Sequence, residues 1–115
     1  MTPLLLLLAL APVDFKRDVA PVLARCQVCH GAQQQLSGLR LDSREAALAG
    51  GYAGPALVAG DSGSSRLIHL VAETTKGRFM PPAGDRLTSA QIATLRAWID
   101  QGASWPATAP PLSVA

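Results

Sequence analysis

Apolar residues fall into four stretches with helical spacing, separated by segments rich in Gly, Pro and Ser. Phe15, Val19, Val22 and Leu23 recur at i, i+4, i+7 and i+8, the stripe of an amphipathic helix, with Asp14 placed to cap it. Pro21 contradicts a smooth helix, because a proline inside one loses a hydrogen bond and clashes with the preceding turn; it marks either the first turn of a second piece or a kink. Asp42 or Ser43 opens a short helix through Leu48, with Glu45 three residues beyond Asp42 and Gly50-Gly51 as its stop. A Gly/Pro/Ser-rich loop from Gly50 to Ser65 leads into a third helical segment whose Leu67, Ile68, Leu70 and Val71 share one face. The last helix is the best marked. Thr88 caps it, Gln91 completes a Thr-x-x-Gln capping box, and Leu87 is placed to staple onto Ile92. Ile92, Leu95, Trp98 and Ile99 form its buried stripe, and Gly102 supplies a left-handed stop. No alternating run reads as a strand and no repeat is present, so the pattern predicts a small all-α domain with long loops.

The ends of the chain bound that domain. Leu4 to Leu8 with Ala9-Leu10-Ala11 is a short apolar run closing on an Ala-x-Ala-like site, the pattern of an export signal over residues 1–11 cut after Ala11, although Met1-Thr2-Pro3 brings no basic residue. It is far shorter than the about 20 apolar residues that span a bilayer. The predicted domain is therefore 12–106, with the Pro-containing 107–115 as a loose tail. A total of 115 residues leaves room for one domain. The net charge of +2 is scattered singly, which excludes a nucleic-acid surface and a polybasic membrane patch and gives no basis for stable membrane insertion of the mature chain. Hydrophobic residues make up 49% of the chain but aromatics only 4%, so its core is thin, and domains of this size commonly lean on a metal, disulfide or cofactor.

One constellation carries chemistry. Cys26-Gln27-Val28-Cys29-His30 is the C-x-x-C-H pattern of covalent c-type haem attachment. On a helix Cys26 to Cys29 is i, i+3 and Cys26 to His30 is i, i+4, so both thiols and the imidazole project from one face. Two thiols add across the haem vinyl groups while the adjacent imidazole reaches the iron. Gly31 permits a helix stop and a close backbone approach to a flat ligand. The porphyrin would supply the missing bulk of the core, and its two propionates would offset the chain's +2. A thioredoxin-like dithiol lacks its βαβ context here. Structural zinc needs four ligands, and beyond the motif only His69 remains. A Cys26–Cys29 disulfide closes a short, strained loop.

Electron-transfer haem usually takes Met or His opposite the proximal His. Outside residues 1–11, Met80 is the only methionine and His69 the only other histidine. Met80 lies in Arg78-Phe79-Met80-Pro81-Pro82, where the prolines stiffen a loop, and it is favoured over its alternative use as a core filler; His69 sits among Leu and Ile on the third helix and is the rival ligand.

The chain from Phe15 to Pro106 resembles the planctomycete-type cytochrome c domain. The stretches that carry the resemblance are Phe15 to Gly31, Leu39 to Gly51, Gly60-Asp61, Arg78 to Pro82, Trp98 to Ala103 and Trp105-Pro106. The resemblance implies a class I cytochrome c-like fold, its first and last helices crossing beside the haem, with thioether links at Cys26 and Cys29 and with His30 and Met80 as axial ligands. Gly54-Pro55-Ala56-Leu57 is similar to the Gly-Pro-x-Leu of other class I cytochromes, which implies that the Pro55 carbonyl accepts the proximal imidazole N–H. The expected function is a monohaem electron carrier in the periplasm or another exported compartment, carrying one covalent haem c and meeting redox partner proteins rather than catalysing a reaction. The rivals are a haem sensor or haem subunit of a larger redox enzyme, and a haem-free exported binding module.

Overall fold

The computed structural model describes residues 12–106. The predicted signal segment at 1–11 and the predicted tail at 107–115 lie outside them. Within the described residues the regular structure is helical, and strand-like pairing is confined to single bridges such as His30 with Gln35 and Gly51 with Gly54. Four α-helices follow in order: α1 over Ala20–Cys26, α2 over Arg44–Ala49, α3 over Arg66–Val71 and α4 over Ser89–Asp100.

The first predicted helix is two pieces. Phe15–Val19 winds as a π-helical turn capped by the Asp14 carboxylate, which accepts from the Arg17 amide at 2.7 Å. Pro21 then stands in the first turn of α1, where its missing N–H costs nothing. Ser43, not Asp42, caps α2 by accepting from the Ala46 amide at 3.1 Å. Asp42 is instead held by the Arg40 guanidinium. At α4 the predicted capping box is present in both directions, Gln91 N–H to Thr88 at 3.1 Å and Thr88 N–H to the Gln91 side chain at 2.9 Å. Gly102, with φ +104°, ends α4, and the Ala103 amide reaches back to the Trp98 carbonyl at 2.9 Å, the wide closing bond of a Schellman turn.

Three aromatics lock the first and last elements together. Phe15 stacks on Trp105 with centroids 4.7 Å apart, and Trp98 meets both rings at 5.8 and 5.9 Å. The indole N–H of buried Trp98 donates to the Ser104 carbonyl at 2.8 Å, so its burial leaves no polar atom unpaired. The core continues through Val19, Leu23, Leu57, Ile68, Leu95 and Ile99, with Ala47 and Ala103 at the closest approaches.

Loops replace strands as the connectors. Buried Ser65 donates to the Asp61 carbonyl at 2.9 Å and accepts from the Val58 amide at 2.9 Å, which folds the 50–65 loop back on itself. The Ala56 amide donates to Ala47 at 3.1 Å and the Leu67 amide to Ala56 at 2.9 Å, stitching α2 through the loop to α3. These bonds set one bank of the cleft described next.

Candidate functional site

An apolar cleft of about 440 Å³ opens between the end of α1, the 37–56 region, α3 and the loop after it. Its volume lies in the about 300–1,000 Å³ range of cofactor sites. Cys26, Cys29 and His30 line it at one end, Leu39, Leu41, Leu67 and Leu70 form walls, and Met80 to Ala83 close another side. The four predicted donors, Cys26, Cys29, His30 and Met80, therefore border one cavity. His69 does not; its Nε2 donates to the Gly63 carbonyl at 2.7 Å on the far flank of α3.

The motif sits where α1 runs out. The helix ends at Cys26, yet the His30 amide still donates to the Cys26 carbonyl at 2.9 Å, so one further hydrogen-bonded turn carries the motif, and Cys26, Cys29 and His30 all line the cleft. Both thiols are free, and burial pushes the Cys26 thiol up against the smaller opposing pull of Arg25. Within the motif the hydropathy is inverted. Gln27 is buried, its amide donating to the Leu41 carbonyl at 2.9 Å, while Val28 is 67% exposed. The helix end turns position 27 toward the 39–42 segment and position 28 out to the cleft mouth, an orientation that residue type alone misreports.

His30 is oriented by its own loop. Its Nδ1 lies 2.9 Å from the Leu36 carbonyl, and since a carbonyl only accepts, Nδ1 carries a proton, which in the neutral ring leaves the lone pair on Nε2. The resemblance implies the Pro55 carbonyl as acceptor, whereas the carbonyl that stands at the ring in this structure is that of Leu36. Pro55 is exposed and absent from the cleft lining, although its neighbours Gly54 and Ala56 form part of that wall. The loop after the motif returns so tightly, with Leu36 N–H to the Cys29 carbonyl at 2.9 Å, that the Leu36 carbonyl takes the imidazole first. Gly31 stands at the helix end, as its expected role in a helix stop requires. A Cβ there would lie 2.4 Å from the Gln27 carbonyl oxygen, so its smallness admits the chain's own helix end.

Met80 is carried by a braced loop. Its amide donates to the Leu70 carbonyl at 3.1 Å, tying it to α3. The Arg86 guanidinium lies 3.5 Å from the Phe79 ring centroid and also pairs with Glu73, whose carboxylate accepts the Gly77 amide at 2.7 Å. Those two contacts hold the Glu73 carboxyl below the ordinary glutamate range, the Gly77 N–H contributing most. From the other side the Arg25 guanidinium donates to the Asp85 carbonyl, linking α1 to the end of this loop. Arg25, Gln27 and the Leu36 carbonyl were not singled out in the sequence. Their partners lie 60, 14 and 6 residues away, beyond any local pattern.

The arrangement presents two thiols, an imidazole and a thioether around one apolar cleft, the residue set that a c-type haem site uses. Residues 26–84, just over half of the 115-residue chain, match the family described as planctomycete cytochrome C, and the chain belongs to that family. No curated protein and no solved structure matches it. The matched stretch begins at the first cysteine and ends after the Met80 loop, so the π-helical turn, most of α1, and α4 lie outside it. Among the described residues no helix is long and apolar enough to cross a membrane, and no cluster of three or more His, Cys, Asp or Glu side chains stands at metal-binding distance.

Proposed function

We propose that the chain is a monohaem electron carrier of an exported compartment with a class I-like fold, its single haem c joined through Cys26 and Cys29, with His30 and Met80 as axial ligands. The observation that carries this reading is that all four donors border one apolar cleft while the Leu36 carbonyl leaves His30 Nε2 free to ligate. When bound, the haem supplies a one-electron iron couple. The chain's own residues do the rest. Cys26 and Cys29 anchor, the Leu36 carbonyl fixes the imidazole and raises its basicity, and Leu39, Leu41, Leu67 and Leu70 exclude water from the iron's surroundings. A soft thioether opposite the imidazole favours the reduced metal and sets the potential above that of a bis-histidine equivalent. Redox proteins are the proposed partners.

The haem-sensor reading has one observation in its favour. Met80 is 36% exposed on a loop, where it could yield its place to a small ligand. Against it stand the Leu70 bond and the Glu73–Arg86–Phe79 brace.

The full chain, made in a host with working c-type cytochrome maturation, is expected to gain the mass of one haem and to give a c-type reduced-minus-oxidised spectrum. Carbon monoxide is expected to leave the reduced spectrum unchanged. A colourless product of bare peptide mass overturns the haem assignment, and rapid carbon monoxide binding selects the sensor.

A further inference from the structure

The flank of α3 away from the core carries a second cavity, about 240 Å³ in volume, and its character is opposite to that of the cleft. Arg66, His69, Thr74, Thr75 and Arg78 line it together with Leu70. Arg66 and Leu70 line the apolar cleft as well, so the two cavities meet across a single helix turn.

The polar groups in this pocket are unevenly committed. His69 Nε2 donates to the Gly63 carbonyl at 2.7 Å and the Thr74 hydroxyl donates to the His69 carbonyl at 3.3 Å. By contrast, the ion pairs among the described residues are Arg17–Asp18, Arg40–Asp42 and Arg86–Glu73, so Arg66 and Arg78 take part in none. Glu73, five residues before Arg78, is occupied by Gly77 and Arg86, Asp61, five before Arg66, accepts the Ser64 amide, and no acidic residue lines the pocket. Two arginines thus line one concavity with no acidic residue in its wall. Guanidinium forks match the two oxygens of a carboxylate, and charge-assisted bonds to one are about twice as strong as neutral hydrogen bonds.

We propose that this pocket is a carboxylate site, with Arg66 and Arg78 as its ligands and the Thr75 hydroxyl as an additional donor. A bound carboxylate cross-links α3 to the turn in which the Arg78 amide donates to the Thr75 carbonyl at 3.0 Å, two residues before Met80. Because Leu70 also anchors the Met80 amide, the acid closes a second brace on the same loop. The shared Arg66 wall gives the acid two sources: a propionate of a haem seated in the cleft, or a carboxylate arriving from solution. Only the first source rests on the haem reading.

The test uses the full chain, labelled with nitrogen-15 and produced in the maturation-competent host, with haem content measured first. The Nε–H resonances of Arg66 and Arg78 are followed while sodium acetate is added, with sodium chloride at equal ionic strength as the control. For a propionate, both resonances exchange slowly in the haem-loaded chain and ignore acetate, and Arg66→Gln or Arg78→Gln speeds exchange at the remaining arginine. For a carboxylate from solution, both resonances move saturably with acetate but not chloride, and Arg78→Gln weakens that response about tenfold or more. Fast exchange at both arginines with no response beyond chloride overturns the proposal. A haem-free product that still binds acetate keeps the pocket and overturns the cytochrome reading, so the two failures are distinguishable.

Discussion

A single backbone carbonyl decides what the His30 ring offers. With Nδ1–H spent on Leu36, only Nε2 is left for a metal, and the ring plane is fixed by a loop six residues long. Met80 and His69 are the two side chains that the sequence left in competition for the opposite position, and only Met80 borders the cleft. Met80→Ala is therefore expected to abolish the thioether-to-ferric charge-transfer band and lower the reduction potential, while His69→Ala changes neither; an unchanged spectrum in Met80→Ala would overturn the axial assignment. Gly31 makes a purely steric prediction at the same scale. A methyl group placed 2.4 Å from the Gln27 carbonyl forces the motif's last turn to shift, at a cost of about 1–3 kcal/mol. Gly31→Ala is expected to lower the denaturation midpoint accordingly, and a stability equal to the wild type would show that the turn relaxes freely.

Elements announced by local chemistry were legible in the sequence, and elements set by distant partners were not. The α4 capping box is complete within four residues, and its bonds form as the Thr-x-x-Gln pattern predicts. The C-x-x-C-H spacing likewise survives because a final hydrogen-bonded turn extends beyond α1. The division of the first helix at Pro21 was visible as a conflict, but the π-helical form of Phe15–Val19 depends on packing against α4 and Trp105, far along the chain. Asp42 shows the limit of capping rules. It sits one residue before the cap, and Arg40 claims its carboxylate. The Met80 loop is braced by Glu73, Arg86 and Phe79, whose cooperation no spacing rule reveals, and it yields a pH prediction. Because the folded Glu73 carboxyl is depressed, its stabilising contribution is complete above about pH 4.3, the ordinary glutamate value, and is lost as pH falls through the lower folded value. Amide exchange at Gly77 and Met80, taken relative to the intrinsic rate at each pH, is expected to accelerate across that acid window. In Glu73→Gln it is expected to be faster already at neutral pH and to lose that acid limb. Identical pH profiles in the two proteins would remove Glu73 from the brace.

At the scale of the whole molecule, the matched segment and the clasp that closes it are different parts of the chain. Residues 26–84 hold the two proposed attachment cysteines and the two proposed ligands, whereas Phe15, Trp98 and Trp105 pack the ends together outside that stretch. Three of the five aromatics thus gather in this clasp, and the cleft walled by Leu39, Leu41, Leu67 and Leu70 is filled by none of the described side chains. A haem seated there would complete the core and remove those walls from water, and because it is joined covalently its stabilisation would come from the apolar contacts it makes only in the folded state. Losing it should therefore weaken the cleft more than the clasp. In a Cys26→Ala/Cys29→Ala variant produced without covalent haem, the helices α1 and α3 are expected to lose amide-exchange protection before α4 does. Loss of even about 2–3 kcal/mol moves the thermal midpoint of a domain this size by about 10–20 °C. A variant that melts at the wild-type temperature, with uniform protection across all four helices, would mean that the polypeptide closes the cleft unaided and that the clasp alone sustains the fold.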